Sequence, residues 1–394
     1  MNRKVRFRRL LPLLRTPLAA ICLVTGCATK MPDNTHSSEH GTATGFYQGF
    51  TNHGDSPLPK PTGPFAVGRM DRLFTDSSRD ILYRSVTNGS MMTTIWYPAG
   101  EIVARRPGPY ANLREMMAWI ELFRKYGRNW NPSQIARLTN SDSWSFPAAP
   151  LASQPPNFPV VLYSHGSAGM PRDNTASCEE LASHGFVVVG VSHSGTVASL
   201  FPDGTLATSQ VDFKLGDTNP ITIAIFRDKV RDLRFIVHQL DVLNAYDAMF
   251  AGRLDVKHIG VFGWSYGGAA AAELCNVEPR CKAGAALDPG GHPNLSQVQF
   301  RQPFMILAGD HGASYRQVFD RLSKRAYFVK IRGAGHDEFG DHAEFLHPAD
   351  TGHTQAIVRI YLVAFFNRYL KDQEDHRLDG PLPDHPEIET FLMK

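Results

Sequence analysis

Lys257-His258-Ile259-Gly260-Val261-Phe262, then Gly263-Trp264-Ser265-Tyr266-Gly267, then Gly268-Ala269-Ala270-Ala271-Ala272-Glu273-Leu274: this stretch decides how the chain is read. The first part is an apolar run of strand type and the last an alanine-rich run of helix type. Between them stands Gly-x-Ser-x-Gly, the signature of a sharp strand-to-helix turn that lifts a serine hydroxyl off the edge of a sheet. Ser265 is therefore the candidate nucleophile. Flanking glycines suit a serine held in a strained backbone region with little bulk around it. The Tyr266 amide opens the helix, where developing negative charge on oxygen is favoured.

Working outward, strands and helices alternate from Phe158 onwards, as in a mostly parallel sheet with helices on both faces. Strands are expected at Thr93–Tyr97, Val160–Ser164, Phe186–Ser192, Lys257–Phe262, Ala283–Leu287, Phe304–Ala308 and Ala326–Ile331. Helices are expected at about Asn174–His184, Phe226–Ala245, Tyr266–Asn276, Tyr315–Ser323 and Thr354–Leu370. The spacing of Phe226, Val230, Leu233, Val237 and Leu240 is that of one helix face. A helix within Pro109–Tyr126, carrying Met116, Met117, Trp119, Ile120 and Phe123, breaks the alternation. Residues 110–146 are read as a helical insertion that packs on the core, or alternatively as a lid or lipid-contacting surface.

The 394 residues are 42% hydrophobic and 20% charged, the balance of a folded α/β protein with ample core. The net charge of +3 is concentrated: Arg3, Lys4, Arg6, Arg8, Arg9 and Arg15 precede a short apolar stretch, and the remainder carries about −3. No basic patch suggests nucleic acid. Residues 1–27 have the layout of a secretory signal, and Val24-Thr25-Gly26-Cys27 resembles a bacterial lipobox, which makes Cys27 a candidate lipid anchor; a plain cleaved signal is the alternative. The apolar stretch is shorter than the roughly 20 residues a membrane span needs. Residues 28–64, rich in Gly, Ser, Thr, Pro, His and Asn, read as a flexible tether, 65–375 as the catalytic-type domain, and 376–394 as an exposed tail.

Three cysteines follow Cys27. Cys275 and Cys281 are six apart between the elbow helix and the next strand and are expected to form a disulfide in an oxidising compartment, leaving Cys178 a free thiol packed under its helix. No Cys/His spacing of a zinc site occurs, and neither metal nor cofactor is expected.

A nucleophilic serine needs a base, and the base needs a carboxylate to fix its tautomer. After a Gly-x-Ser-x-Gly elbow these follow in the order acid, histidine, at the ends of later strands. Asp288, after Ala283-Gly284-Ala285-Ala286-Leu287, and Asp310, after Phe304–Gly309, both qualify. His336, in the glycine-loosened Arg332-Gly333-Ala334-Gly335-His336, is the candidate base, with His311 as a rival. Ser164-His165-Gly166-Ser167-Ala168-Gly169 follows an early strand and can supply the second half of an oxyanion hole, so the backbone amides of Ser167 and Tyr266 are the two candidate donors.

From Trp96-Tyr97-Pro98-Ala99 to His336 the chain resembles the plasma-type platelet-activating-factor acetylhydrolases and their bacterial relatives within the α/β-hydrolases. Ser164-His165-Gly166, the stretch Glu180–Val188, the elbow, Ala286-Leu287-Asp288 and Arg332–His336 carry the resemblance. It implies the α/β-hydrolase fold and a calcium-independent serine esterase that cleaves short or oxidised acyl groups from phospholipid-like esters. It also implies that the acid is Asp288, with Asp310 the alternative. Two departures lie near the expected pocket: Ser194-Gly195-Thr196 stands where the family tends to carry charge, and Trp264 is similar to bacterial polyester hydrolases.

The expected activity is thus hydrolysis of carboxylic esters through an acyl-enzyme on Ser265. The alternatives are a polyester, cutinase-like or other small-ester hydrolase, and a non-catalytic envelope lipoprotein that uses the fold to bind. The expected location is the bacterial cell envelope, lipid-anchored in the outer membrane, or periplasmic or secreted.

Overall fold

The computed structural model describes residues 56–78, 89–193, 198–208, 219–290, 301–310, 312, 315–322, 325–347 and 352–394. Strands β1 (Ala66–Thr75) and β2 (Ser90–Ala99) pair antiparallel along their full ten residues. Helices α1 (Leu113–Lys125) and α2 (Pro132–Asn140) follow, each capped by an asparagine whose side chain accepts a backbone N–H. Then come β3 (Ser145–Pro147), β4 (Phe158–Ser164), α3 (Thr175–Ser183), β5 (Val187–Val191) and the small ribbon β6 (Ser199–Leu200) with β7 (Leu206–Ala207). Helix α4 (Pro220–Tyr246) starts six residues before the apolar stripe begins, because Asn219 caps it and Pro220 fits its first position. The chain continues through β8 (Leu254–Trp264), α5 (Tyr266–Val277), β9 (Cys281–Leu287), β10 (Phe304–Ala308), α6 (Arg316–Arg321), β11 (Ala326–Ile331), α7 (His342–Leu346), α8 (Gly352–Leu370) and β12 (Ile388–Met393).

Among the described residues ten strands form one sheet in the order β12-β11-β10-β9-β8-β4-β5-β2-β1-β3. From β11 to β5 the neighbours run parallel, and antiparallel pairs occur at β2–β5, β1–β2 and β11–β12. Strand alternation splits the core into two layers. Val160 and Leu162 point with Val189 and Val261 toward Leu233, Leu240 and Ala270 of α4 and α5. Val161 and Tyr163 point with Phe262 and Met305 toward Leu181 of α3 and Phe365 and Phe366 of α8. The chain turns to opposite sides of β4, with β5 on one side and β8 on the other, and such a switch point opens a crevice at the carboxyl ends of the strands.

Every strand and helix expected from the sequence is present, and the fold is that of an α/β-hydrolase. The insertion packs on the core: Met116, Trp119, Ile120 and Leu122 of α1 are buried, while Leu113 and Met117 face outward. The bridge between Cys275 and Cys281 ties the end of α5 to the first residue of β9, and Cys178 is a buried free thiol in α3.

Two boundaries need correction. The 376–394 tail is not an exposed extension, since β12 pairs with β11 and Phe391 packs on Tyr361; its apolar residues are half-buried because only one face of an edge strand meets the core. The packed domain also starts before residue 65. Leu58 is buried, its carbonyl accepts from the Trp144 indole at 2.7 Å, and the Thr62 and Gly63 amides donate to Glu180 and Ser183. A polar, proline-rich segment bound by its backbone looks like a tether in sequence. Cys27 and residues 28–55 lie outside the described residues. No described helix is long and apolar enough to cross a membrane.

Candidate active site

Ser265 sits between β8 and α5 with φ 55° and ψ −125°, a conformation sparsely populated by residues with a side chain. The two glycines of the motif have steric causes. A Cβ on Gly263 would overlap the Gly267 carbonyl, and one on Gly267 would overlap the carbonyls of Ser164 and His165, so β4, β8 and α5 approach each other only because both positions are glycine. The elbow is held to the next strand by the Ser265 amide, which donates to the Leu287 carbonyl at 2.9 Å.

That hydrogen bond brings Asp288, the residue after β9, beside the serine's strand. Asp288 is fully buried, and its amide donates to the Leu307 carbonyl. One carboxylate oxygen accepts the Gly309 amide at 2.9 Å, and the other lies 2.6 Å from Nδ1 of His336. His336 opens a single 3-10 turn after β11, and its side chain remains 28% exposed, so the imidazole reaches the surface of the site. Trp264 completes the grouping: its indole N–H donates to the His336 carbonyl at 3.1 Å and its ring lies against the imidazole. Asp310, the alternative acid, is an exposed turn residue on the far side of Gly309, and His311 lies outside the described residues.

The loop after β4 covers the elbow. A Cβ on Gly166 would lie 3.2 Å from the Ser265 Cβ, and Ser167 is the exposed first residue of the turn that follows. On the other side, a Cβ on Gly290 would stand 3.3 Å from the Tyr266 nitrogen and 3.6 Å from the Ser265 hydroxyl oxygen. Glycine at 290 therefore keeps open the space that the serine hydroxyl and the Tyr266 amide both face. The insertion forms a wall of the same region. Trp119 of α1 donates to the Ala168 carbonyl at 3.0 Å and stacks on His342, which in turn packs against Trp264. Burial keeps the His342 imidazole neutral, lowering its pKa to about 4. Arg172 fastens this wall to the sheet: its guanidinium grips both oxygens of Asp71 on β1 at 2.6 and 2.7 Å and Glu115 on α1 at 2.8 Å.

One constellation was not anticipated from the sequence. Ser164, His193 and Asp232 form a second serine-histidine-carboxylate chain, with Oγ to Nε2 at 2.9 Å and Nδ1 to the carboxylate at 3.0 Å. All three are buried, at 0%, 1% and 1% exposure respectively for Ser164, His193 and Asp232, so no substrate reaches that serine. Its hydroxyl serves to join the ends of β4 and β5 to α4. The sequence signal is slight: Ser164 ends β4 and His193 follows the end of β5 by two residues, at the switch-point pair. Ser194–Thr196 lie outside the described residues.

A model of the family described as platelet-activating factor acetylhydrolase, isoform II, matches residues 50–232. The platelet-activating factor acetylhydrolases of Cavia porcellus and Bos taurus are each 24% identical, covering 74% of this chain and 70% and 69% of their own. Over this stretch the chain is similar to the platelet-activating factor acetylhydrolases. Its fold is shared with a solved ferulic acid esterase from Streptomyces cinnamoneus, at a TM-score of 0.68 and 24% identity over 85% of this chain and 98% of that one. The likeness to the acetylhydrolases and to the esterase supports serine ester hydrolase chemistry on an α/β-hydrolase fold.

Proposed function

We propose that Ser265, His336 and Asp288 are the catalytic triad, and that they hydrolyse short-acyl carboxylic esters of phospholipid-like type. The observation that carries this reading is the 2.6 Å contact of His336 Nδ1 with Asp288 beside a serine held at φ 55°. The carboxylate fixes the proton on Nδ1 and leaves Nε2 as the base. Ser265 Oγ attacks the ester carbonyl while Nε2 takes its proton, and the tetrahedral oxyanion rests against the Ser167 and Tyr266 amides. The imidazolium then returns the proton to the departing alkoxide. Water repeats the sequence on the acyl-enzyme, releasing the carboxylic acid and restoring the serine.

The short acyl group is supported by the relatives, which are named acetylhydrolases. A second reading, an esterase for aryl or polymer esters, is supported by the ferulic acid esterase neighbour and by Trp264 beside the nucleophile. Hydrolysis of p-nitrophenyl esters from acetyl to palmitoyl by the wild type and Ser265→Ala tests the site. Activity that declines with chain length and disappears in the variant is the expected result; activity retained by Ser265→Ala would refute the assignment. A direct comparison of acetylated ether phospholipid with methyl ferulate then separates the two substrate readings.

The layout of the first 27 residues supports attachment to the cell envelope through lipid on Cys27. Incorporation of a fatty-acid label by the wild type but not by Cys27→Ala is the outcome expected, and equal labelling of both would exclude it.

A further inference from the structure

Lys229 lies on α4 and is 1% exposed. Burial lowers the Lys229 pKa to about 7 against the pull of Asp232 and Asp173, and its buried amine finds partners in the backbone of the loop over the elbow: Nζ donates to the His165 carbonyl at 3.0 Å and reaches the Gly166 carbonyl at 3.5 Å. His165, fully buried beside it, holds the same Gly166 carbonyl with Nδ1 at 2.7 Å. The tautomer follows from its other nitrogen. Nε2 accepts the His193 amide at 3.3 Å, so the ring proton is on Nδ1, and burial together with the Lys229 charge keeps the ring neutral. The groups facing this cluster are Asp173 from the start of α3, Asp232 from α4 itself and His193 from the end of β5.

The Gly166 carbonyl and the Ser167 N–H belong to one peptide unit, and in a planar trans peptide they point in opposite directions. We propose that Lys229 and His165 are positioning residues for the oxyanion hole, drawing the Gly166 carbonyl to the buried side of the loop and so turning the Ser167 N–H toward the Ser265 hydroxyl. The inference rests on the reading of Ser265 and Ser167 given above. Without those two donors the Gly166 carbonyl keeps only the longer bond from the Gly169 amide at 3.3 Å, so the peptide is held less firmly and the hole loses its aim while the rest of the pocket keeps its lining. Neither residue meets the substrate.

The experiment measures kcat and KM on p-nitrophenyl acetate, with thermal unfolding, for the full chain and its Lys229→Met, Lys229→Gln, His165→Phe and Ser265→Ala variants. Losing an oxyanion donor costs about 10² to 10³ in turnover, so a misdirected one in Lys229→Met should cost about 10- to 100-fold in kcat with KM within about threefold. Lys229→Gln keeps an N–H donor and should recover most of that loss. Unchanged kcat in Lys229→Met, a loss confined to KM, or equal impairment of the Gln variant would each overturn the proposal. If Lys229→Met does not fold, His165→Phe decides: a comparable fall in kcat supports the proposal, and an unchanged kcat refutes it. Ser265→Ala separates the two levels: activity surviving in it removes the site reading and this inference with it, whereas an inactive Ser265→Ala with undiminished Lys229→Met and His165→Phe sinks only the inference.

Discussion

His336 Nδ1 and Asp288 Oδ2 stand 2.6 Å apart although 48 residues separate them in the chain, because β9 and β11 flank β10 and the segments that follow both strands emerge at the same end of the sheet. Asp310 follows β10 itself yet is exposed. Replacing Asp288 by Asn should therefore lower kcat by about 10⁴, by upsetting the histidine's tautomer, while Asp310→Asn stays within a few-fold of wild type. Steady-state kinetics on p-nitrophenyl acetate decide this, and the reverse pattern would place the acid at 310.

The two serine-histidine-carboxylate chains make opposite demands on mutation. Ser265→Ala should abolish turnover with little change in melting temperature. Ser164→Ala removes a buried hydroxyl and its bond to His193, so it should cost about 1 to 3 kcal/mol of stability while leaving most of the activity. Labelling by a fluorophosphonate, followed by peptide mapping, should find Ser265 modified and Ser164 untouched.

Gly290 is the position at which pocket volume can be tested with the least disturbance. Alanine there places a methyl group 3.3 Å from the Tyr266 nitrogen, a tight contact in the space the oxyanion would occupy. Gly290→Ala should lower kcat by about tenfold or more, and Gly290→Val by more still, with unfolding midpoints near that of wild type. Equal activity in all three would show that substrate lies elsewhere.

The Arg172 guanidinium bridges α1 and β1 through ion pairs, with side chains of 8%, 12% and 7% exposure at Arg172, Asp71 and Glu115. Arg172→Met would strand two buried carboxylates and should destabilise the protein by about 3 to 5 kcal/mol, measured by denaturant unfolding at pH 7. Glu115 is already raised in pKa by burial, so part of that loss should return on mild acidification, when the stranded carboxyl takes up a proton.

His342 gives the pH dependence a sign. Its pKa in the fold is about 4 against 6.5 as the ordinary value, so between those limits the unfolded chain binds the additional proton and stability falls as pH falls. That contribution, on the order of 3 kcal/mol from the size of the shift, is intact above pH 6.5 and spent by pH 4. His342→Phe keeps the stack between Trp119 and Trp264 but has nothing to titrate; its stability should decline less than wild type over that interval.

What the sequence made legible was local. The elbow is five consecutive residues, and its glycines are required by carbonyls that any close approach of β4, β8 and α5 would bring. The apolar stripe of α4 was equally plain, and Phe226, Val230, Leu233, Val237 and Leu240 are all buried. Five strands are not legible in the sequence: β3, β6 and β7 are only two or three residues long, and the longer β1 and β12 are hidden for different reasons. In β1 the charged residues Arg69, Asp71 and Arg72 interrupt the apolar pattern, and the buried Arg69 is accommodated only because Pro109 and Ser143 supply acceptors from 40 and 74 residues away. In β12 the alternation is short and follows a run of Pro, Asp and His. Lys229 and Asp232 are hidden by their type: on a helix they read as a solvated face, and the partners that make them interior groups, His165 and His193, lie just after β4 and β5. Likewise both Asp288 and Asp310 end strands, so residue order alone left the choice open until family likeness favoured Asp288.

The antiparallel addition of β12 to β11 has a consequence for the solution behaviour of the molecule. β11 delivers His336 to the site, yet without a neighbour its outer side would offer a row of bare amides and carbonyls to any extended chain nearby. Residues 388–393 occupy that row, with Lys330 pairing to Glu389 across it and Lys394 closing its end through Ala326 and Arg325. The segment that looks most dispensable in composition thereby guards the strand next to the chemistry against pairing with another copy, so that trimming it would be felt first as self-association and only afterwards as lost turnover.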